Sequence, residues 1–201
     1  MSSYSSIEEL IRLFSRIPGI GPKSAERITY FLLQSNKEYV NSLADAIKVI
    51  KQKIKNCRIC GNYTETDICD ICADHKRDKH KICVVEEPKD LMVIERLKIY
   101  NGLYHILFGV ISPIHGVGPD DLNIRPFIQR VKSSEDNIDE IIVATNPTSE
   151  GDTTAFYISK LLKDQKIRIT RIAYGIPVGA NIDYTDIVTL TRSFLDRKVF
   201  E

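Results

Sequence analysis

Tryptophan is absent from the 201 residues, methionine occurs twice, and no apolar run approaches the roughly 18 residues of a membrane-spanning helix. The opening "MSSYSSIEEL" lacks the basic-then-apolar layout of a secretion signal, so the cytoplasm is the expected location and a membrane is not expected as a partner. Net charge is only +1, which by itself excludes no class of partner. The charge is unevenly placed, however. Residues 1–56 hold nine Lys and Arg against five Asp and Glu, so the N-terminal quarter is the basic end. An apolar content of 43% is enough for a real core, in one domain of ordinary size or a few small ones.

Cysteine is also scarce, at five residues, but four of them are patterned. Cys57, Cys60, Cys69 and Cys72 read C-x2-C-x8-C-x2-C, the spacing of four thiolates around one tetrahedral zinc. In a reducing compartment disulfides are not expected, and a redox role would need only one C-x-x-C. Gly61 allows the tight turn a metal knuckle requires. Four thiolates close the coordination shell, so His75 and His80 are not needed as ligands and the zinc is structural, one per chain. Cys83, in the strand-like "KICVVEE", is expected to be a small buried hydrophobe.

Periodicity changes along the chain. Ser6 with Glu9 has the form of a capping box, and Ile7, Leu10, Ile11 and Phe14 follow at helical spacing to about Arg16. A second helix is predicted from about Pro22, with Ala25, Ile28 and Leu32 inward, and a third from Ser42, with Leu43, Ala46, Ile47, Ile50 and Ile54 inward. After the cysteines, strand-like and helix-length segments alternate: "KICVVEE", "DLMVIERL", "YHILFGVI", "DLNIRPFIQRV", "IDEIIVAT", "DTTAFYISKLLKD", "IRITRIAY". Such alternation predicts an α/β fold, a parallel sheet wrapped by helices. Four parts result: 1–53 helical, 54–76 the cysteine motif, 77–175 the alternating domain, and 176–201 a tail.

Two stretches carry candidate chemistry. In "FSRIPGIGPKSAERI", Gly19 and Gly21 bring bare backbone amides to the start of a helix, where the dipole also favours a phosphate. Lys23 and Arg27, four apart, extend that track on one helix face. Such contacts are blind to base identity. Lys48, Lys51 and Lys55 form a second possible stripe, equally consistent with a solvated helix face. "GPKS" lacks the glycine spacing and Gly-Lys-Ser/Thr of an ATP loop. The other stretch, "ATNPTSEGDTTA", follows a strand and opens a helix, so Asn146, Thr148, Glu150 and Asp152 stand at a sheet's carboxyl end.

The order of these features, with "VVEEPKDL", "YHILFGVISPIHGVGP", "ATNPTSEGDTTAFYISKLL" and "TRIAYGIPVGANIDYTDIVTL", resembles the bacterial recombination mediator family RecR over essentially the whole chain. The resemblance implies a helix-hairpin-helix DNA-binding domain at 1–53, a zinc motif, and a Toprim-like domain at 77–175. In Toprim enzymes a strand-end Glu and an Asp-x-Asp pair hold magnesium. Here Glu86 matches the first position, but Asn146 and Thr148 stand where the aspartates would be. Two carboxylates about 4 Å apart repel by roughly 4 kcal/mol at an effective dielectric of 20, which a magnesium ion offsets. Without the pair, the expectation is no catalytic residue, with Glu86, Glu150 and Asp152, beside Glu87, serving a partner, local structure or a weak cation. The competing expectation is a magnesium-dependent nickase or primase-like enzyme. The resemblance further implies a homo-oligomer, dimer or tetramer, binding single-stranded, duplex or gapped DNA and working with RecO, and in some settings RecF, to load RecA. Apolar residues of the N-terminal helices and the tail are the expected pairing surfaces.

Overall fold

The computed structural model describes residues 5–134, 137–197 and 199. The chain forms two compact units, one ending at Ile54 and the other beginning at Lys55.

The first unit is helical: α1 Ser5–Phe14, α2 Pro22–Gln34 and α3 Lys37–Lys53. Ile7, Leu10, Ile11 and Phe14 of α1 are half-buried, as their spacing predicts. Because α1 already includes Ser5, Ser6 lies inside the helix and is not its cap. Residue 4, before the helix, lies outside the described residues. Helix α2 begins at Pro22, whose fixed φ suits a first turn, and buries Ala25 and Thr29 with Ile28 and Leu32 half-buried. The hydroxyl of Thr29 donates to the Ala25 carbonyl at 2.9 Å, which lets a polar residue sit in that interface.

Helix α3 differs from expectation twice. It starts at Lys37, five residues early, because the Asn36 side chain accepts the Tyr39 amide at 2.8 Å and caps it there. Its predicted inward face is not inward: Leu43 is 37% exposed, Ile47 60% and Ile50 62%, while Ile54 is the C-cap. Helical periodicity identifies an apolar face but not what covers it.

In the second unit, a short hairpin of β1 Lys55–Asn56 and β2 Tyr63–Thr64 leads to α4 Asp70–Ala73. There follow β3 Asp78–Val85, α5 Pro88–Leu97, β4 Gly102–Ile106, α6 Ile124–Lys132, β5 Glu140–Ala144, α7 Ser149–Leu161 and β6 Arg168–Arg171. The four long strands make one parallel sheet in the order β4-β3-β5-β6. The tail adds α8 Ile187–Leu195, and residues 198, 200 and 201 of the predicted 176–201 tail lie outside the described residues.

Alternation along β3 divides the core. Ile82 and Val84 face a cluster with Phe127 of α6 and Ile158 of α7, whereas Cys83 and Val85 face Tyr104, Ile106 and Leu91 of α5. Helices therefore cover both faces, the solution a parallel sheet requires. Val85 pairs with Ile106 on one side and Ala144 on the other, so three strands end level. The chain leaves central β3 toward β4 and later returns to its other side at β5, and this reversal opens a crevice at the strand ends.

The outer edge of β4 is closed by other groups. The Ile106 amide donates to the Cys60 carbonyl at 2.8 Å. The Tyr104 carbonyl accepts from Arg130 at 2.7 Å, that of Gly102 from Arg77 at 3.1 Å, and that of Ile106 from Asn123 at 3.1 Å. Arg77 is itself held by Glu95, whose carboxylate also accepts the Tyr104 hydroxyl at 2.7 Å. An edge strand thus loses the open ladder that would pair with a foreign chain.

Candidate functional site

Chemistry-bearing side chains gather in three places. In the first, one ligand atom from each of Cys57, Cys60, Cys69 and Cys72 lies within 4.8 Å of every other. The Cys60 and Cys69 sulfurs are 3.6 Å apart, far beyond a disulfide bond. A tetrahedron with Zn–S of about 2.3 Å has edges of about 3.8 Å, so the thiols fit one zinc. Amides of Asn62 and Cys69 point at the sulfurs of Cys60 and Cys57 at 3.4 and 3.3 Å, as donors suited to thiolates. Gly61 takes φ +82° to make the turn between them. Hydrogen bonding from Cys60 pulls the Cys69 thiol far down, the same contact pushes Cys60 up to about 12, and contacts with Cys60 and Cys69 push Cys72 up as well. Four thiols this close cannot all ionise without a cation among them. Zinc would supply that charge and fix the knuckle, with no ligand position left for a substrate. His75 is exposed and His80 bonds the Asn137 carbonyl at 2.6 Å, so neither belongs to the cluster. Cys83 lies apart, 3% exposed, its thiol pushed up to about 12 by burial.

The second place is the α1–α2 turn. Gly19 adopts φ +83°, which a residue with a Cβ rarely tolerates. Gly21 is the N-cap of α2 with no side-chain cap, leaving first-turn amides open to a ligand. Lys23 and Arg27 are exposed, and among the described residues neither pairs with a carboxylate. The other lysine stripe is broken up. Lys48 pairs with Asp45 at 3.4 Å, and Lys55 lies beyond the end of α3, in β1, paired with Asp67.

The third is the crevice at the carboxyl ends of β3, β4 and β5, a cavity of about 420 Å³ whose lining includes Glu86, Phe108, His115, Asn146, Thr148 and Glu150. Both oxygens of the Glu86 carboxylate are engaged by Asn146, one by its backbone amide at 2.6 Å and one by its side-chain amide at 2.8 Å. Thr148 caps α7 by accepting the Gly151 amide at 3.1 Å. Gly151 must be glycine because a Cβ there would collide with the Asn146 carbonyl oxygen. Asp152 points elsewhere. It accepts from Tyr174 at 2.6 Å and pairs with Arg192 of α8 at 2.6 Å and with Arg171. Burial alone would raise its pKa, but Tyr174 and the two guanidiniums outweigh that and hold it below the usual carboxylate range. Glu87 is spent at the start of α5, where its amide donates to Asp90 at 2.9 Å and its carboxylate pairs with Lys89 at 2.7 Å. Glu86, Glu150 and Asp152 therefore do not converge as one cluster. Among the described residues the only gathering of three or more metal-ligating side chains is the cysteine set.

Two features here had no sequence cue. Phe108 holds φ +63°, unusual for a bulky residue, and lays its ring over Gly61. The guanidiniums of Arg171 and Arg192 lie over the ring of Tyr174, 5.3 and 4.6 Å from its centroid.

Family profiles described as the RecR helix-hairpin-helix, the RecR four-cysteine zinc finger domain, the Toprim domain and the RecR C-terminal region match residues 7–50, 54–74, 80–173 and 175–198. Proteins named "Recombination protein RecR" are similar over nearly full length. That of Tropheryma whipplei (strain Twist) is 45% identical, that of Chloroherpeton thalassium (strain ATCC 35110 / GB-78) 49% and that of Clostridium perfringens (strain 13 / Type A) 48%, each alignment covering 96% of both chains.

Proposed function

The chain belongs to the RecR family of recombination proteins, and from that premise we propose that it is a non-catalytic DNA-binding mediator of recombination and repair in the cytoplasm. Its partners in this reading are RecO and, in some settings, RecF, and its task is to help place RecA on single-stranded or gapped DNA. The division into a DNA-binding domain at 1–53, a zinc motif at 54–76, a Toprim-like domain at 77–175 and a pairing tail at 176–201 is part of the same proposal.

One observation carries the DNA-binding element: Lys23 and Arg27 stand exposed, with no carboxylate partner among the described residues, beside the first-turn amides of α2 that no side chain caps. Backbone amides and cations in one track suit phosphates of any sequence. A net charge of +1 is weak for a DNA-binding monomer. Several copies in a dimer or tetramer would act together through effective concentration. The exposed Leu43, Ile47 and Ile50 of α3 and Ile187, Val188 and Leu195 of α8 suit such pairing.

The non-catalytic element rests on Asn146. By donating two hydrogen bonds to Glu86, it satisfies without a metal the carboxylate that a magnesium-dependent enzyme would keep for one. Among the described residues no helix is long and apolar enough to cross a membrane. The test is DNA retention across a salt series, with mass measurement and a nicking assay in magnesium and manganese. Salt-sensitive binding by an oligomer without cleavage is expected. Metal-dependent cleavage that disappears in Glu86→Ala would instead make the chain an enzyme.

A further inference from the structure

Helix α2 carries one more feature on the face that presents Lys23 and Arg27. Ser24, Arg27, Ile28 and Phe31, at helical positions i, i+3, i+4 and i+7, line a shallow depression of about 420 Å³. Phe31 is 57% exposed, on a helix whose opposite side buries Ala25 and Thr29. The ring does not hang free. Tyr39, near the start of α3, meets it edge-on, with centroids 5.9 Å apart and planes at 83°. The contact is anchored from below, since the Tyr39 amide caps α3 on Asn36 and the Phe31 carbonyl accepts the Ser35 amide and hydroxyl at 3.0 and 2.8 Å. Tyr30, 48% exposed, flanks it.

Lys23, Arg27 and Phe31 thus form a stripe of two cations and a fixed aromatic ring, each about 6 Å from the next along the helix axis. We propose that Phe31 is a stacking platform for an unpaired base and that this face of α2 takes single-stranded DNA in preference to continuous duplex. The inference rests on the DNA-binding reading above and adds to it the form of DNA preferred. Cations and amides hold phosphates whether or not the strand is paired. An aromatic side chain can stack only on a base that has left its neighbours, because in an intact duplex both faces of each base are covered. Charge complementarity favours nucleic acid over a second copy here, since two-fold pairing through this face would set the Lys23 and Arg27 stripes against each other.

The sequence contains no tryptophan, so Phe31→Trp introduces a single reporter at the platform. In the full-length protein this variant should bind an oligothymidylate with unchanged or higher affinity and show indole quenching, while a blunt duplex should bind without quenching. Phe31→Leu should lose about ten-fold in single-strand affinity and little in duplex affinity. If Phe31→Leu keeps its single-strand affinity while Lys23→Ala with Arg27→Ala loses it, the stacking inference fails and the DNA-binding reading stands. If neither variant weakens binding, the DNA-binding reading fails. A changed oligomeric mass in Phe31→Leu would show that the ring joins copies of the chain and would overturn the inference, as would a Phe31→Trp emission indifferent to single strands.

Discussion

Asn146 donates from both its backbone and its side chain to the two oxygens of Glu86, across the gap between the ends of β5 and β3. An aspartate at 146 would replace the side-chain donor with a second anion. The repulsion can reach about 4 kcal/mol at an effective dielectric of 20, reduced where solvent reaches position 146. Asn146→Asp should therefore lower the melting temperature at neutral pH. Magnesium or mild acid should restore it, the first by bridging the carboxylates and the second by protonating one. Melting curves at two pH values with and without magnesium decide this, and a variant as stable as the parent would show that the Glu86 contact contributes nothing.

Zinc should be present at one per chain. Binding in small cysteine motifs is associated with about 10–16 kcal/mol of apparent free energy, so Cys57→Ser should release the metal and unfold the knuckle. Because Cys60 supplies the acceptor for the Ile106 amide, unfolding the knuckle should also uncover the edge of β4. Elemental analysis with light scattering should show metal loss and aggregation together. A zinc-free variant that stays monodisperse would separate the two.

Lys23→Ala with Arg27→Ala should weaken DNA binding with little dependence on sequence and leave folding intact, since both side chains are exposed. Removing one cation from a duplex phosphate should flatten the plot of log affinity against log salt by about 0.9 per copy engaged. An unchanged slope would move the phosphate track elsewhere.

His105 is 1% exposed, and burial lowers its pKa from 6.5 to about 4 while Nε2 bonds the Asn123 carbonyl at 2.9 Å. In the unfolded chain the imidazole binds a proton below about pH 6.5. The native state resists doing so until about pH 4, so stability is full above the first value and falls as pH drops toward the second. At about 1.4 kcal/mol per unit, the loss is on the order of 3 kcal/mol. Denaturant midpoints between pH 7 and 4 should fall less steeply in His105→Gln, and parallel slopes would remove His105 as a cause.

The parallel sheet is legible in sequence because its strands are continuous apolar runs split by helix-length segments, and the cysteine spacing identifies the metal ligands directly. Asn36 is a usable signal for the start of α3: an Asn followed by Lys-Glu marks a helix start as well as Ser42 does. The acids at 86, 150 and 152 are another matter. Glu150 and Asp152 are two apart on a helix, so they point in different directions, and only the fold shows that Asp152 turns to Tyr174, Arg171 and Arg192. Phe31 carries no cue of its own. Its apolar character suggests core, and its exposure depends on where α1 and α3 lie.

The contact between Cys60 and Ile106 also orders events in time. Synthesis runs from the N-terminus, so residues 57–72 leave the ribosome well before residues 102–106. The knuckle is local in sequence and can close on zinc while the strand it covers is still unmade. When β4 emerges and pairs with β3, the group that receives its outer amide is already in place. A cell short of zinc would meet the reverse situation, in which each newly made chain presents that edge to its neighbours on the same polysome.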